Sequence, residues 1–344
     1  MNKKDIKSMS LHELEEYFVM IGQKPYRAKQ VFSWLHNGIT DFARMTNISS
    51  ALIDKLDSEF YISGAGLVDK LESSHDGTIK FLWKMTDGSV VESVVMSYEH
   101  GNTVCISSQV GCKMGCAFCA SAIGGFYRNL SAGEMIDQVI FSQISSGLKI
   151  SNIVIMGIGE PLDNFDNLLR FLELINHPDG MNIGARRISI STCGIVENID
   201  KLADNRVQST LSVSLHAPDD ETRSKLMPIN RRYSVDILLE ACRNYFSKTG
   251  RRVSFEYALI DGINDTSFHA ELLAKKLRKT ASHVNIIPLS NVLERSFRGS
   301  SDEKVKAFTK ILHKCGVNAT VRRSMGLDIT ASCGQLRVRH KDKG

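Results

Sequence analysis

The sequence predicts an α/β protein: an open, partial (β/α)6 barrel preceded by a small N-terminal helical unit and a β-hairpin. From about residue 100 onward, strand-like runs at 103–107, 152–156, 187–191, 210–215, 253–259 and 283–288 alternate with helical stretches near 131–147, 165–176, 197–204, 235–248, 267–279 and 302–315. Such alternation implies parallel strands joined by crossovers. Residues 1–75 read as helical instead, and a pair of period-2 runs separates the two regimes. A chain of 344 residues suits a partial barrel with an accessory unit better than a closed eight-unit barrel.

Taken in order, Ser10 and Glu13 form a capping box that opens a helix to about Met20. Pro25 suits the first turn of a second helix ending near His36, with Val31, Phe32, Trp34 and Leu35 as its apolar content. A third helix is expected over 49–60. The run 78–85 alternates, placing Ile79, Phe81, Trp83 and Met85 on one face; Asp87-Gly88 turns the chain, and 89–97 returns as a strand. A late strand at 317–322 follows the barrel units. The expected division is a helical accessory unit at 1–75, a hairpin connector at 76–99, the barrel at 100–325, and a C-terminal loop with a basic tail at 326–344. Barrel chemistry is expected at the C-terminal ends of the strands.

Composition is that of an ordinary globular protein, with 42% hydrophobic and 24% charged residues. No apolar run approaches the ~18 residues of a membrane span, and the polar start MNKKDIKSMS is unlike a signal peptide, so a cytoplasmic location is expected. The net charge of +5 alone says little about nucleic acid, but the basic residues cluster: Lys24, Arg27 and Lys29; Arg186 and Arg187; Arg231 and Arg232; Arg251 and Arg252; Arg322 and Arg323; then Arg337, Arg339, His340, Lys341 and Lys343. Any one pair also suits a solvated surface. Eight cysteines in a chain of this length do not resemble a secreted disulfide framework.

Three of those cysteines, Cys112, Cys116 and Cys119, form a C-x3-C-x2-C array just beyond the first barrel strand. Three such thiolates can ligate three irons of a [4Fe–4S] cube and leave the fourth open to a small molecule, with the amino and carboxylate groups of S-adenosylmethionine (SAM) as expected ligands. Structural zinc is the competing reading. It closes with about four ligands, often from paired C-x2-C halves, and here no second pair follows; His100 is the nearest further ligand in sequence. Phe118, between the last two cysteines, suits either shielding of a cluster or plain packing.

The array resembles the radical-SAM signature, and the text around it narrows the resemblance. Cys105-Ile106-Ser107-Ser108-Gln109-Val110-Gly111-Cys112, Gly157-Ile158-Gly159-Glu160-Pro161, Ser214-Leu215-His216 and Ala331-Ser332-Cys333-Gly334-Gln335-Leu336 are similar to the bacterial family of dual-specificity 23S rRNA and tRNA adenine C2-methyltransferases, from about Lys24 to Leu336. The resemblance implies a radical-SAM barrel and a chemistry that carbon 2 demands. That carbon is electron-poor and not nucleophilic, so polar attack on SAM fails where a carbon radical succeeds. In the implied scheme one SAM methylates a cysteine, and a second, cleaved reductively at the cluster, yields a radical that takes a hydrogen from the cysteine methyl. The carbon radical adds to the base, a proton acceptor removes the ring proton, and a second cysteine resolves the adduct as a disulfide. Cys333 matches the methyl-carrying position, Cys105 the resolving one, and Glu92 the proton acceptor. Thiol chemistry suits both cysteine roles.

Period-2 geometry puts Glu92 beside Val90, Val94 and Met96, and a carboxylate on an apolar face suits a general base of raised pKa; exposure at an edge or pairing with a basic residue are the alternatives. Gly159, Glu160, Ser191, Ser214, Leu215, His216 and Asn291 match the family's SAM contacts. Capping of the following helices is the other role open to Ser191, Ser214 and His216. Val292 follows Asn291 where many relatives carry proline. Cys193, Cys242 and Cys315 read as small buried hydrophobes.

The implied partners are 23S rRNA and tRNA, with a flavodoxin-type reducing system and a monomeric chain. A base must leave its stack to reach a buried site, which favours flexible RNA loops. The helical unit and the basic tail are expected RNA-backbone grips, with Arg231 and Arg232 as phosphate contacts. Tyr26, Trp34 and Tyr233 lie beside basic residues and are candidates for stacking, core packing being the simpler role for Trp34. Competing readings are the related methyltransferase of antibiotic resistance acting on adenine carbon 8, a zinc-stabilised RNA-binding protein without catalysis, and a radical-SAM enzyme of small metabolites.

Overall fold

The computed structural model describes residues 3–278, 280–290 and 292–336. Asn291 and the tail residues Arg337, Arg339, His340, Lys341 and Lys343 lie outside them. Ten strands form one sheet: β1 (Gly66–Glu72), β2 (Ile79–Lys84), β3 (Val90–Tyr98), β4 (Gly101–Cys105), β5 (Ile150–Ile155), β6 (Ile188–Thr192), β7 (Thr210–Ser214), β8 (Val253–Leu259), β9 (Ser282–Pro288) and β10 (Ala319–Val321). Their spatial order follows the chain from β1 at one end to β10 at the other. β1 to β4 pair antiparallel, whereas β4 to β10 pair in parallel.

The parallel half is the expected barrel. β6 alternates buried Ile188, Ile190 and Thr192 with half-buried serines, whereas all seven residues of the central β8 are buried. The barrel helices are α4 (Ala132–Ser146), α5 (Phe165–Asn176), α6 (Val196–Asp204), α7 (Asp220–Leu226), α8 (Val235–Thr249), α9 (Ser267–Leu277) and α10 (Asp302–Lys314). Ser131 and Glu134 close a capping box on α4, and Gly250, at φ 67°, ends α8 in the left-handed conformation that glycine tolerates best.

The N-terminal helices are α1 (Leu11–Met20), α2 (Tyr26–His36) and α3 (Ser50–Glu59). The capping box of Ser10 and Glu13 forms as the sequence predicts. The helical reading of 1–75 fails at its end, where Gly66–Glu72 is strand β1. All seven of its residues are exposed, so no buried face imposes the alternation that reveals a strand. The apolar face of β2 forms as expected, with Ile79, Phe81, Trp83 and Met85 all buried, while β3 is buried on both faces over residues 91–96. In backbone terms it continues the barrel sheet through β4.

One contiguous apolar core runs from α1 through the barrel to β10. Lys7, wholly buried, pins the N-terminal unit to α4: its ammonium pairs with the buried Asp137 and donates to Ser63 O at 2.8 Å. Among the described residues no helix is long and apolar enough to cross a membrane.

Candidate active site

The C-x3-C-x2-C loop leaves a short antiparallel pair, Gln109–Gly111 with Phe126–Asn129. Gly111, at φ 75°, admits no side chain, because a Cβ there would lie 1.9 Å from Gly125 O. The loop is tied down by Cys112 N donating to Gly125 O (2.8 Å) and Ala117 N to Leu226 O (2.8 Å). Cys112, Cys116 and Cys119 all face one cavity of about 160 Å³ at the C-terminal ends of the barrel strands. Burial pushes the Cys112 thiol up to about 11 and the Cys116 thiol higher still, so a bound metal must compensate any thiolates held there. Among the described residues no three His, Cys, Asp or Glu side chains converge on a single ion. Three thiols spread around a cavity of this size suit a multi-iron body better than zinc.

The same cavity is lined by Gly159, Glu160, Ser191, Ser214 and His216. Gly159 turns at φ 109°, where a Cβ would come within 2.6 Å of Gln109 Cβ, and Gly157 N donates to Ile106 O at 3.0 Å. The Glu160 carboxylate is buried and held at both oxygens, by Leu162 N at 3.0 Å and Cys193 N at 2.7 Å, while its own N–H donates to Gln109 Oε1 at 2.9 Å. Burial raises its pKa above the ordinary value. His216, at φ 56°, accepts from Ala258 N at its Nδ1 (2.9 Å), which leaves the proton on Nε2. Burial and then the Arg223 guanidinium push it down to about 3, so the ring is a neutral donor. Neither Ser191, Ser214 nor His216 caps a helix: α6 begins after Ile195 and α7 after Asp219. Leu215 is wholly buried and faces the core rather than the cavity.

Cys105 ends β4 and faces a smaller chamber of about 40 Å³, together with Val94, Met96, Tyr98 and Cys333. Burial first, then the nearby Cys333, pushes the Cys105 thiol up to about 12. Cys333 is exposed and stands in the wall of both the smaller chamber and the larger cavity, as do Met156, Ile287 and Arg322. The segment that carries it is anchored from several sides: Ala120 N donates to Gly334 O (2.8 Å), Ser121 Oγ to Leu336 O (2.7 Å), and Gly326 N to Asp76 Oδ2 (2.9 Å).

Glu92 is 3% exposed on the β3 face that also presents Val94 and Met96. It lines neither chamber, and the Lys80 ammonium stands 3.7 Å from its carboxylate. The apolar-face reading and the paired reading therefore both hold. Lys80, which also donates to Thr330 O and Thr330 Oγ1, is a site neighbour that sequence reasoning missed, although the hairpin register places it beside Val94. Also missed are Arg322 and Glu256, which line the cavity. The signal for Glu256 was a lone acid in an apolar run. Cys242 and Cys193 are buried among apolar side chains as expected, Cys193 lining the cavity as well, but Cys315 is exposed. Of the stacking candidates, Tyr26 is 51% exposed with the Arg27 guanidinium over its ring, whereas Tyr233 is buried and bonded to Glu197, which removes it as a platform. Trp34 is half-buried against the core and donates to Asn47 Oδ1.

Comparison with known proteins agrees with this geometry. Residues 106–274 match the radical SAM superfamily, and residues 4–62 match the N-terminal domain of ribosomal RNA large subunit methyltransferases. The chain is 50% identical over 339 residues to a probable dual-specificity RNA methyltransferase RlmN of Clostridium tetani, covering 98% of this chain and 97% of that protein. It is 49% identical over 342 residues to the protein of the same description from Lachnoclostridium phytofermentans, covering 99% and 96%. The crystal structure of a radical SAM methyltransferase from Sphaerobacter thermophilus superposes with a TM-score of 0.92 at 44% identity, over 97% of this chain and 99% of that one. With whole-length identity at this level and both family regions present, the chain belongs to the RlmN family of radical SAM methyltransferases, whose cofactors are a [4Fe–4S] cluster and SAM.

Proposed function

We propose that this chain methylates carbon 2 of an adenine in 23S rRNA and in tRNA, by way of a methyl group carried on Cys333. The observation that carries this reading is the position of Cys333 in the wall shared by the cysteine-lined cavity and the Cys105 chamber. Cys112, Cys116 and Cys119 hold the cluster, which when bound supplies the electron that splits SAM. Gly159, Glu160, Ser191, Ser214 and His216 hold SAM, with Leu215 supporting that turn from the core and Asn291 as a further contact. The strand ends place a neutral imidazole N–H and two hydroxyls toward one cavity, a donor set fitted to a ribose and a carboxylate. The Cys333 thiol accepts the methyl group, Glu92 takes the ring proton, and the Cys105 thiol closes a disulfide with Cys333 that frees the RNA. Lys80 steadies the Glu92 carboxylate on the face next to the Cys333 loop.

The names of the relatives support RNA as the substrate, and so does the distribution of cations. Arg231 and Arg232 follow β7 on the strand-exit side that holds the site, whereas Arg186, Arg187, Arg251 and Arg252 precede β6 and β8 at the opposite end. Arg322 and Arg323 follow β10 at the same end as the first pair, where Arg322 already lines both chambers. Residues 1–75, the barrel at 100–325 and the tail after 326 act as RNA grip, catalytic body and methyl-carrying arm. A flavodoxin-type donor reduces the cluster of a monomeric, cytoplasmic enzyme.

The test is anaerobic incubation of the reconstituted enzyme with methyl-labelled SAM and either bare 23S rRNA or tRNA, followed by mass mapping of the nucleosides. The expected product is 2-methyladenosine in both RNAs, with no protein-bound label in Cys333→Ala. Appearance of 8-methyladenosine would overturn the carbon-2 assignment. Labelled RNA from Cys333→Ala would remove the cysteine route.

A further inference from the structure

Arg223 is one of the largest wholly buried side chains in the protein. It lies on α7, and its guanidinium spans the exits of two adjacent barrel strands. Nε donates to Leu215 O at 3.0 Å, one terminal nitrogen to Ser214 O at 3.2 Å and Cys193 O at 2.8 Å, and the other to Asn230 Oδ1 at 3.0 Å. Every acceptor is neutral. Among the described residues no carboxylate lies within ion-pair reach of it; the exposed Asp220 connects only through the Asn230 amide. A guanidinium taken wholly out of water with no anion beside it is costly, and carbonyl dipoles offset that only in part.

One side of this arginine is packed toward the cysteine loop. Leu226, the last residue of α7, and Met227 just past it pack with Phe118 and Cys193, with Cys116 and Cys119 against the same group. The backbone of the cysteine loop bonds to this helix through Ala117 N and Leu226 O. The guanidinium therefore stands behind the wall of the cluster cavity, on the Cys116 and Cys193 side, without opening into it. Burial pushes the Cys116 thiol up, and Arg223 is the group that opposes this. A four-iron cube on three thiolates carries net negative charge, and reduction adds another. Net charge and the surroundings of the sulfurs are the levers that set a cluster's potential.

We propose that Arg223 is a positioning residue for the cluster, its buried positive charge offsetting the anionic cube and raising the cube's reduction potential. This rests on Cys112, Cys116 and Cys119 being the cluster ligands. In this arrangement the apo-protein holds a cation with no counter-charge, and loading the cluster supplies it. The same guanidinium binds the turn that carries Ser214 and His216, so cluster charge and SAM-site geometry depend on one side chain.

The experiment compares wild type, Arg223→Lys and Arg223→Gln after anaerobic reconstitution, each assayed for iron and acid-labile sulfide. Cluster midpoints are read by redox titration followed by electron paramagnetic resonance without SAM, and thermal unfolding is recorded before and after loading. Arg223→Gln is expected to lower the midpoint and to gain less Tm on loading than wild type does, while Arg223→Lys keeps a midpoint near wild type. A purely structural staple would move the Tm of apo- and loaded protein alike and leave the midpoint in place. An unchanged midpoint in a fully loaded glutamine variant would overturn the proposal. Should the glutamine variant not fold, a loaded lysine variant whose midpoint drops would overturn it instead, since that variant keeps the charge. Wild type that takes up no iron and sulfide would sink the cysteine assignment and this inference with it, a failure distinct from an unmoved midpoint.

Discussion

His36 should make the stability of this protein acid-sensitive by an amount that can be worked out in advance. The imidazole closes α2, is 5% exposed, stacks on the Phe32 ring at 4.1 Å, and among the described residues has no hydrogen-bond partner at either ring nitrogen. Burial first, then the charges of Lys7 and His177, push it from 6.5 to about 3. Because the folded value lies below the unfolded one, the unfolded chain takes up the proton first. The contribution of the neutral ring is thus present above pH 6.5 and is lost as pH falls toward about 3. Each pH unit in that window costs about 1.4 kcal/mol, so lowering the pH to about 5 removes about 2 kcal/mol through this residue alone. Urea denaturation of the apo-protein at about pH 7.5 and about pH 5 measures it, with His36→Leu as the comparison. His216 titrates in both proteins and cancels. The variant is expected to lose about 2 kcal/mol less than wild type between the two conditions. Near pH 7.5 it should be close to neutral, since partnerless buried ring nitrogens already cost about 1–3 kcal/mol. Equal losses, within about 0.5 kcal/mol, would refute the reasoning.

Three further outcomes follow from the site. Gly159→Ala forces a side chain to within 2.6 Å of Gln109 Cβ at φ 109°; it should destabilise the fold by about 1–3 kcal/mol in urea and weaken labelled-SAM retention at least about tenfold. On the proposed role of Glu92 as proton acceptor, Glu92→Gln keeps the shape and removes the base, so methyl transfer to Cys333 should persist in labelled protein while methylated RNA falls by about 100-fold or more. Replacing Arg231 and Arg232 by alanine should lower the salt slope of RNA binding in a filter assay by up to about 2; the exposed ion pair of Arg232 with Glu197 is too weak to withhold that side chain from phosphate.

The parts of this protein legible in its sequence are those where burial imposes a period or chemistry imposes a spacing. The six strand–helix units and the alternating β2 fall in the first class. The Ser10–Glu13 box and the Cys112, Cys116 and Cys119 loop fall in the second, and the shared cavity brings the three thiols together with the C-terminal ends of β5 to β10. β1 left no trace because it has no buried face. α7 reads as Asp-Glu-Thr-Arg-Ser-Lys-Leu, a short polar surface helix, and nothing in that string shows that its arginine points inward. Its burial depends on carbonyls from Cys193, Ser214 and Leu215, brought over by tertiary packing. Pairing across strands hides Lys80 and Glu256 in the same way: each makes sense only beside a partner from another strand, Glu92 and Asn285.

Four side chains, Met156, Ile287, Arg322 and Cys333, form the partition between the two chambers. A partition one side chain thick cannot be reshaped from one side only. Any substitution that enlarges one chamber takes volume or support from the other, so the cysteine-loop cavity and the Cys105 chamber are constrained to evolve, or to be engineered, together.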